Sequence, residues 1–404
     1  MASEKQPLEV RAVALARALQ TTAVTLITPA EQAQLDELSG MLEHPSDKVT
    51  VAQLTDQAFR PRSASRGISQ FQHLLETRGI PRFFGTFDKL GLQILRRIGQ
   101  LVAFVAFPLA RRKIRMDTAN VILRAEHPPL IAHLRRRHAE GLRMNVNLLG
   151  EAVLGETEAA QRLEQYLATL ALPEVEVVSV KISTLYSQVS PLAREHTVAV
   201  LCERLEKLFR AGADQIFTRP NGDRVAKFVY LDMEEYRDMH LTAAAFMRTL
   251  DRAGMENVSA GIVLQAYLPD AHTVQQQLNA WARARVAGGG APIRLRLVKG
   301  ANMEMERIEA AIGGWPQAPF SVKIDTDANF KRMLHEAMSE ENIAAVRPGI
   351  ASHNLFDIAY GLLLAQDHGA IHRVRLEMLE GMASHQRRAL AKHAENILLY
   401  APAC

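Results

Sequence analysis

At 404 residues, with 48% apolar and 23% charged residues, the chain can bury one core of barrel size beside a smaller appendage, which excludes a disordered or fibrous protein. Two cysteines, Cys202 and Cys404, argue against a disulfide framework and suit a reducing cytosol, with Cys202 expected in a helix core. The net charge of +4 is concentrated: from Arg96 to Arg143 eleven Lys/Arg face three Asp/Glu, so the remainder is mildly acidic.

The amino terminus, Met1 to Val10, is polar and charged, so it is not read as a signal peptide. Residues 1–143 read as a helical arm. Thr28-Pro29-Ala30-Glu31 is a capping box with proline at the first helical position, followed by Leu35, Leu38 and Leu42. Gly67, Gly79-Ile80-Pro81 and Gly85 punctuate the next stretch. Arg96 to Arg115 flanks an apolar centre with arginines, which suits either an anionic membrane surface or packing against the rest of the protein. Its apolar run, Leu101 to Ala110, is about half of a membrane span and holds Pro108, so no transmembrane helix is expected. Arg135-Arg136-Arg137 reads as a solvated face; no aromatic interleaving points to nucleic acid.

From Met144 short apolar or alternating runs recur: Val146–Leu149, Val177–Ile182, Phe228–Leu231, Gly261–Ala266, Ile293–Val298, Pro348–Ala351, Val374–Met378 and Ile397–Tyr400. Helical stripes stand between them, such as Leu163/Tyr166/Leu170 and Val198/Leu201/Leu205/Leu208. Eight strands alternating with helices predict an α/β fold, a (β/α)8 TIM-like barrel over residues 144–404. An open doubly wound sheet is the alternative, but no glycine fingerprint follows the first strand, and Gly288-Gly289-Gly290 precedes a strand instead of opening a helix.

Barrel enzymes carry their working groups at the strands' carboxyl ends. Those ends supply Glu151, Lys181, Asp232, Gln265, Arg296 with Lys299, His353 with Asn354, Glu377 with Glu380, and Tyr400. Arg296-Leu297-Val298-Lys299-Gly300 passes from a strand through a glycine into a helix, as an active-site loop does. No His-Glu-x-x-His spacing suggests a metal, and no Gly-x-Ser-x-Gly suggests a hydrolytic serine. A rim with three cations, amides and carboxylates suits an anionic or electron-accepting cofactor and a small charged substrate. Taken singly, Lys181 or Asp232 also reads as half of an ion pair, His353 as a core histidine and Tyr400 as a barrel plug. Lys181 or Lys299 as a Schiff-base lysine of an aldolase-type barrel is a second reading.

Seven blocks in order resemble the proline dehydrogenase family. They are Val180-Lys181-Ile182-Ser183, Leu231-Asp232-Met233-Glu234, Val263-Leu264-Gln265-Ala266-Tyr267, Arg296 to Ala301, Ala351-Ser352-His353-Asn354, Glu377 to Met382, and Leu399-Tyr400-Ala401-Pro402. The helical front, with Asp56-Gln57-Ala58-Phe59-Arg60, resembles the preface of bacterial bifunctional proline-utilisation enzymes. The resemblance implies noncovalent FAD, oxidation of L-proline to 1-pyrroline-5-carboxylate and electron transfer to a membrane quinone. It also implies a cytoplasmic protein touching the membrane peripherally, and an aldehyde dehydrogenase domain downstream in the full-length parent.

By matching position, Arg296 would lie beside the flavin ring and Gln265 would hydrogen-bond it. Met233, Val263, Val298, Lys299, Gly300 and Ala301 would belong to the same site. Lys323 and Thr326, with Ala351, Ser352, His353 and Asn354, match the stretch that grips the rest of FAD, and Glu377 and Leu379 complete the cofactor set. Lys181, Asp232, Leu379 and Tyr400 match the proline pocket, and with Arg296 supply the catalytic set. Asn302 stands where some members carry tyrosine. The family continues past the eighth strand into a helix whose Arg-Arg pair binds the proline carboxylate. The expectation is a barrel lacking that last helix, with impaired turnover, or a flavin-binding fragment without turnover.

Overall fold

The computed structural model describes residues 6–43, 63–82, 86–99, 123–150, 152–394 and 397–404, plus single positions between 47 and 108. Most of the basic stretch 100–122, Glu151 and residues 56–60 lie outside these. Two compact units emerge, Met1–Ala23 with Val121–Cys404, and Val24–Asn120. By contacts the first helix, Leu8–Thr25, begins in the barrel's unit, whereas the change of sequence texture falls at 144. Its Ala12, Ala16, Leu19 and Ala23 are buried at helical spacing, and Arg11 pairs with Asp367.

The smaller unit has its own core of Leu54, Ile68, Phe71, Leu74, Leu75, Leu95 and Phe107. Its first helix, Pro29–Glu43, starts on the expected capping box: Thr28 N–H donates to Glu31 Oε2 at 2.9 Å, and Glu31 N–H to Thr28 Oγ1 at 3.3 Å.

Among its described residues the larger unit has ten strands: β1 Arg143–Leu148, β2 Val177–Val180, β3 Ile216–Thr218, β4 Arg224–Ala226, β5 Phe228–Leu231, β6 Gly261–Gln265, β7 Ile293–Val298, β8 Val346–Ala351, β9 Arg375–Leu379 and β10 Ile397–Ala403. Eight of them close a parallel barrel in the order β1-β10-β9-β8-β7-β6-β5-β2, so all eight expected strands exist, and the open sheet is ruled out. β10 pairs with β1 from Arg143↔Leu398 to Leu148↔Ala403, and with β9 on its other side. β3 and β4 form an unexpected antiparallel hairpin; three-residue strands leave too short an alternation to read.

The intervening helices sit where the apolar stripes require. Val198, Leu201, Leu205 and Leu208 of Arg194–Ala213 are fully buried, as are Met333, Leu334 and Met338 of Lys323–Met338, each such side chain contributing about 1.5–3 kcal/mol. Cys202 lies buried in the first of these stripes.

Strand alternation sorts the barrel interior into layers, each drawn from alternate strands. Around β1, β5, β7 and β9 one layer holds Asn145, Tyr230, Arg296 and Glu377, and the layer beneath holds Arg143, Phe228, Arg294 and Arg375. Gly349 of β8 makes room for the upper layer: a Cβ there would stand 2.6 Å from Glu377 Oε1.

Two expectations about charge fail. Glu380 does not join the rim: its buried carboxylate takes Arg137 and His133 from the helix His127–Ala139 that precedes β1. For the same reason the arginine triplet is not one solvated face. Arg137 grips Glu380, whereas Arg135 and Arg136 are exposed, the first paired with Glu174 and the second touching His133.

Candidate functional site

The carboxyl ends of the strands enclose a cavity of about 550 Å³. Its wall is built from Lys181 after β2, Asp232, Met233 and Glu234 after β5, Val263 and Gln265 of β6, and Arg296 and Val298 of β7. Lys299, Gly300, Ala301 and Asn302 continue it, with Ala351, Ser352 and His353, then Glu377 and Leu379, and finally Tyr400. Asn147, Leu149, Met378 and Pro402 complete the lining; these four, with Glu234 and Asn302, have no role assigned from sequence, and the rest do.

Arg296 is the centre. Its Nε donates to Glu377 Oε2 at 2.5 Å and its Nη1 to Asp232 Oδ1 at 3.0 Å, and its guanidinium lies 3.9 Å from the Tyr230 ring centroid. Burial opposes the charge, but Glu377 and Asp232 outweigh it and hold the guanidinium above its ordinary pKa. Burial also lifts Glu377, yet Arg296, Arg375 and the Tyr230 hydroxyl prevail, leaving that carboxylate below its ordinary value. For Asp232 burial wins over Arg296, Tyr400 and Ser179, so its carboxyl is raised. Tyr400 donates to Asp232 Oδ2 at 2.8 Å and accepts from Asn147; burial and Asp232 push the phenol well above its usual range.

Sequence reasoning missed Asn145, Asn147, Ser179 and Tyr230. Asn145 Nδ2 donates to Ser179 Oγ at 2.9 Å, Ser179 to Asp232 at 3.2 Å and Tyr230 to Glu377 at 2.7 Å, and Arg296 joins these bonds into one network across β1, β2, β5, β7 and β9. A signal existed: Met144-Asn145-Val146-Asn147-Leu148 alternates, and amides on the inward phase of a buried strand need partners.

The rim also carries buried polar atoms with no protein partner, Gln265 Oε1, Arg296 Nη2 and His353 Nδ1, and Thr326 Oγ1 is another such atom away from the wall. Gln265 spends its Nε2 on the Met233 and Glu234 carbonyls, which leaves the oxygen as an acceptor. His353 Nε2 accepts the Leu379 N–H at 2.9 Å, so Nδ1 must carry the proton of a neutral ring, and burial lowers its pKa accordingly.

Gly300 has φ 129°, and a Cβ on it would lie 1.8 Å from Tyr267 Cδ1, so the loop comes this close only as glycine. Lys299 is tied to Asp327 at 2.5 Å and Asp357 at 2.6 Å; burial lowers its pKa, but these bonds prevail and hold the ammonium above its ordinary value. Lys181 stands at the mouth, 3.6 Å from Glu234.

Three assigned residues lie apart from the cavity wall. Lys323 is largely exposed and pairs with Asp327, Thr326 is buried in the first turn of Lys323–Met338, and Asn354 caps the helix Leu355–Asp367 by accepting the Phe356 N–H at 2.9 Å.

A closed parallel barrel with this cavity at its carboxyl end has the architecture of a (β/α)8 enzyme. Comparison with known proteins gives it a family: a profile described as proline dehydrogenase matches residues 130–404, and the chain belongs to that family. Proline dehydrogenase 2 of Bacillus subtilis is 26% identical over 273 residues, covering 67% of this chain and 77% of that protein. The structure of proline utilization A from Corynebacterium freiburgense is 39% identical, with a TM-score of 0.66, over 79% of this chain and 31% of that one. Proline utilization A from Bdellovibrio bacteriovorus, inactivated by N-propargylglycine, gives a TM-score of 0.80 at 25% identity over 98% of this chain. The chain spans 40% of the length of the latter.

Proposed function

We propose that this chain carries the site that oxidises L-proline to 1-pyrroline-5-carboxylate with noncovalently held FAD, that the electrons pass to a membrane quinone, and that turnover by the chain alone is impaired. Family membership supports the reaction, and the observation that carries the cofactor is the set of buried, unpartnered polar atoms on one rim. The residues fit a flavin: an acceptor at Gln265 Oε1 and donors at Arg296 Nη2 and His353 Nδ1. Met233, Val263, Val298 and Ala301 would supply the apolar wall, with Lys299, Lys323, Thr326, Ala351, Ser352, Asn354, Glu377 and Leu379 completing the set. Bound FAD would supply a two-electron acceptor, chemistry that the side chains themselves do not offer.

The chain's own residues do the rest. Arg296, fixed by two carboxylates, holds a permanent positive charge in the wall without reorganising. Tyr400 keeps its proton on the bond to Asp232, so both stay oriented. Lys181, Asp232, Leu379 and Tyr400 would make the proline pocket, with Leu379 as its partly exposed apolar side and Lys181 as the cation at the mouth.

The Schiff-base reading loses ground at Lys299, because an attacking lysine must be neutral and Lys299 is held charged by two aspartates. We place the chain in the cytoplasm with transient contact at the membrane face. No helix among the described residues is long and apolar enough to cross a membrane. The full-length parent would carry an aldehyde dehydrogenase domain downstream. The test is to load the purified chain with FAD and follow proline-dependent reduction of a quinone analogue. A folded protein that keeps no flavin, or whose flavin proline does not bleach, sinks the proposal.

A further inference from the structure

The interior layer beneath Arg296 carries cations that the proposed chemistry leaves unused. Arg143, Arg294 and Arg375 share the inward phase of β1, β7 and β9, and Arg347 of β8 pairs in register with Arg294. Among the described residues two carboxylates approach them. Glu176 is taken by Arg143 at 3.0 Å and by Arg219 at 2.7 Å, and Glu377 by Arg296 and Tyr230. Arg294 is left with one bond, to the Arg373 carbonyl at 3.5 Å. Arg375 is 8% exposed, and its Nη1 is buried with no partner at all.

Burying an unpaired charge is among the costliest arrangements in a protein, and a guanidinium does not shed its proton at neutral pH to escape it. Burial together with Arg294 and Arg143 depresses the Arg375 pKa, which places the three cations within each other's fields. A planar fork of donors has one natural complement, an oxyanion. Arg347, at the same end of the barrel, is exposed to solvent.

We infer that the amino-terminal floor of the barrel binds a small dianionic oxyanion of the phosphate type, held by Arg375 and Arg294 with Arg143 and Arg347 at its edge. The site is separate from the cavity at the carboxyl end, the Arg296–Glu377 layer standing between them.

Titration calorimetry of the whole chain with inorganic phosphate, against chloride at matched ionic strength, tests the site directly. Saturable binding with a rise in thermal unfolding temperature is expected, and acetate should bind more weakly because it carries one charge. Arg375→Met should weaken phosphate binding about tenfold or more, while Arg135→Met, an exposed cation elsewhere, leaves it unchanged. If Arg375→Met does not fold, Arg294→Met is read the same way. Absence of saturable phosphate binding, a chloride effect of equal size, or equal affinity in a folded Arg375→Met protein would overturn the site. Acetate binding as tightly as phosphate would overturn the dianion assignment.

Discussion

Two arginines in neighbouring layers of one barrel differ in a single respect. Arg296 and Arg375 are both buried and both point inward, but Arg296 bonds to two carboxylates, whereas Arg375 feels Glu377 only at a distance and bonds to none. Their pKa values move in opposite directions, Arg296 up and Arg375 down. Burial alone therefore does not decide what a charge does in this interior; the partner does. The paired arginine stiffens the floor of the cavity, and the unpaired one is a demand that the chain itself leaves unmet.

The largest effect should come from breaking the satisfied layer. Arg296→Met leaves Asp232 and Glu377 facing each other, and urea unfolding should show a loss of about 3–5 kcal/mol. In the FAD-loaded protein the same variant should lower the flavin reduction potential, a loss of roughly 1–3 kcal/mol of interaction with the reduced ring. An unchanged potential in a folded, loaded variant would remove Arg296 from the flavin's surroundings.

Arg137→Ala should follow closely at about 3 kcal/mol, because it strands the buried Glu380 carboxylate, whereas Arg135→Ala, two positions away and exposed, should cost no more than about 1 kcal/mol. Equal losses for the two would mean that the triplet acts as one surface patch after all.

Acid titration sharpens the contrast further. Glu377 has a folded pKa below the ordinary 4.5, so its contribution is fully present above that value and is lost as pH falls through the folded one. Glu377→Gln should flatten the acid limb of the stability curve below about pH 4.5. A limb as steep as that of the unmodified protein would assign the acid loss to other carboxylates. The smallest change, and the only gain, is expected of Arg375→Met in phosphate-free buffer, where removal of an unpaired buried cation should add about 1 kcal/mol. A loss of several kcal/mol there would show that Arg375 has a partner in the folded chain.

Much of this is legible in the sequence. Strands buried on both faces announce themselves as apolar runs, so all eight could be counted, and their carboxyl ends marked the rim. Sequence fails where the partner is distant. Nothing near Glu380 shows that its carboxylate belongs to Arg137, more than two hundred positions earlier, so it was read with the rim by position alone. Asn145 and Ser179 were passed over because a short polar residue inside a strand signals chemistry only once its neighbour across the sheet is known. The unpaired state of Arg375 is likewise a property of the layer, invisible along β9.

The pairing of β1 with β10 also governs time. These strands zip along six residue pairs, yet they stand at opposite ends of the barrel sequence. On the ribosome β1 emerges first and waits while some 250 residues are made, on the order of tens of seconds at ordinary elongation rates. Throughout that wait β1 presents an open edge to any strand nearby, from this chain or another. Contacts this distant in sequence also slow refolding from denaturant, since the ends must meet before closure rewards them. Dilution and the speed of synthesis, more than the depth of the finished core, should therefore decide how many chains reach the closed barrel.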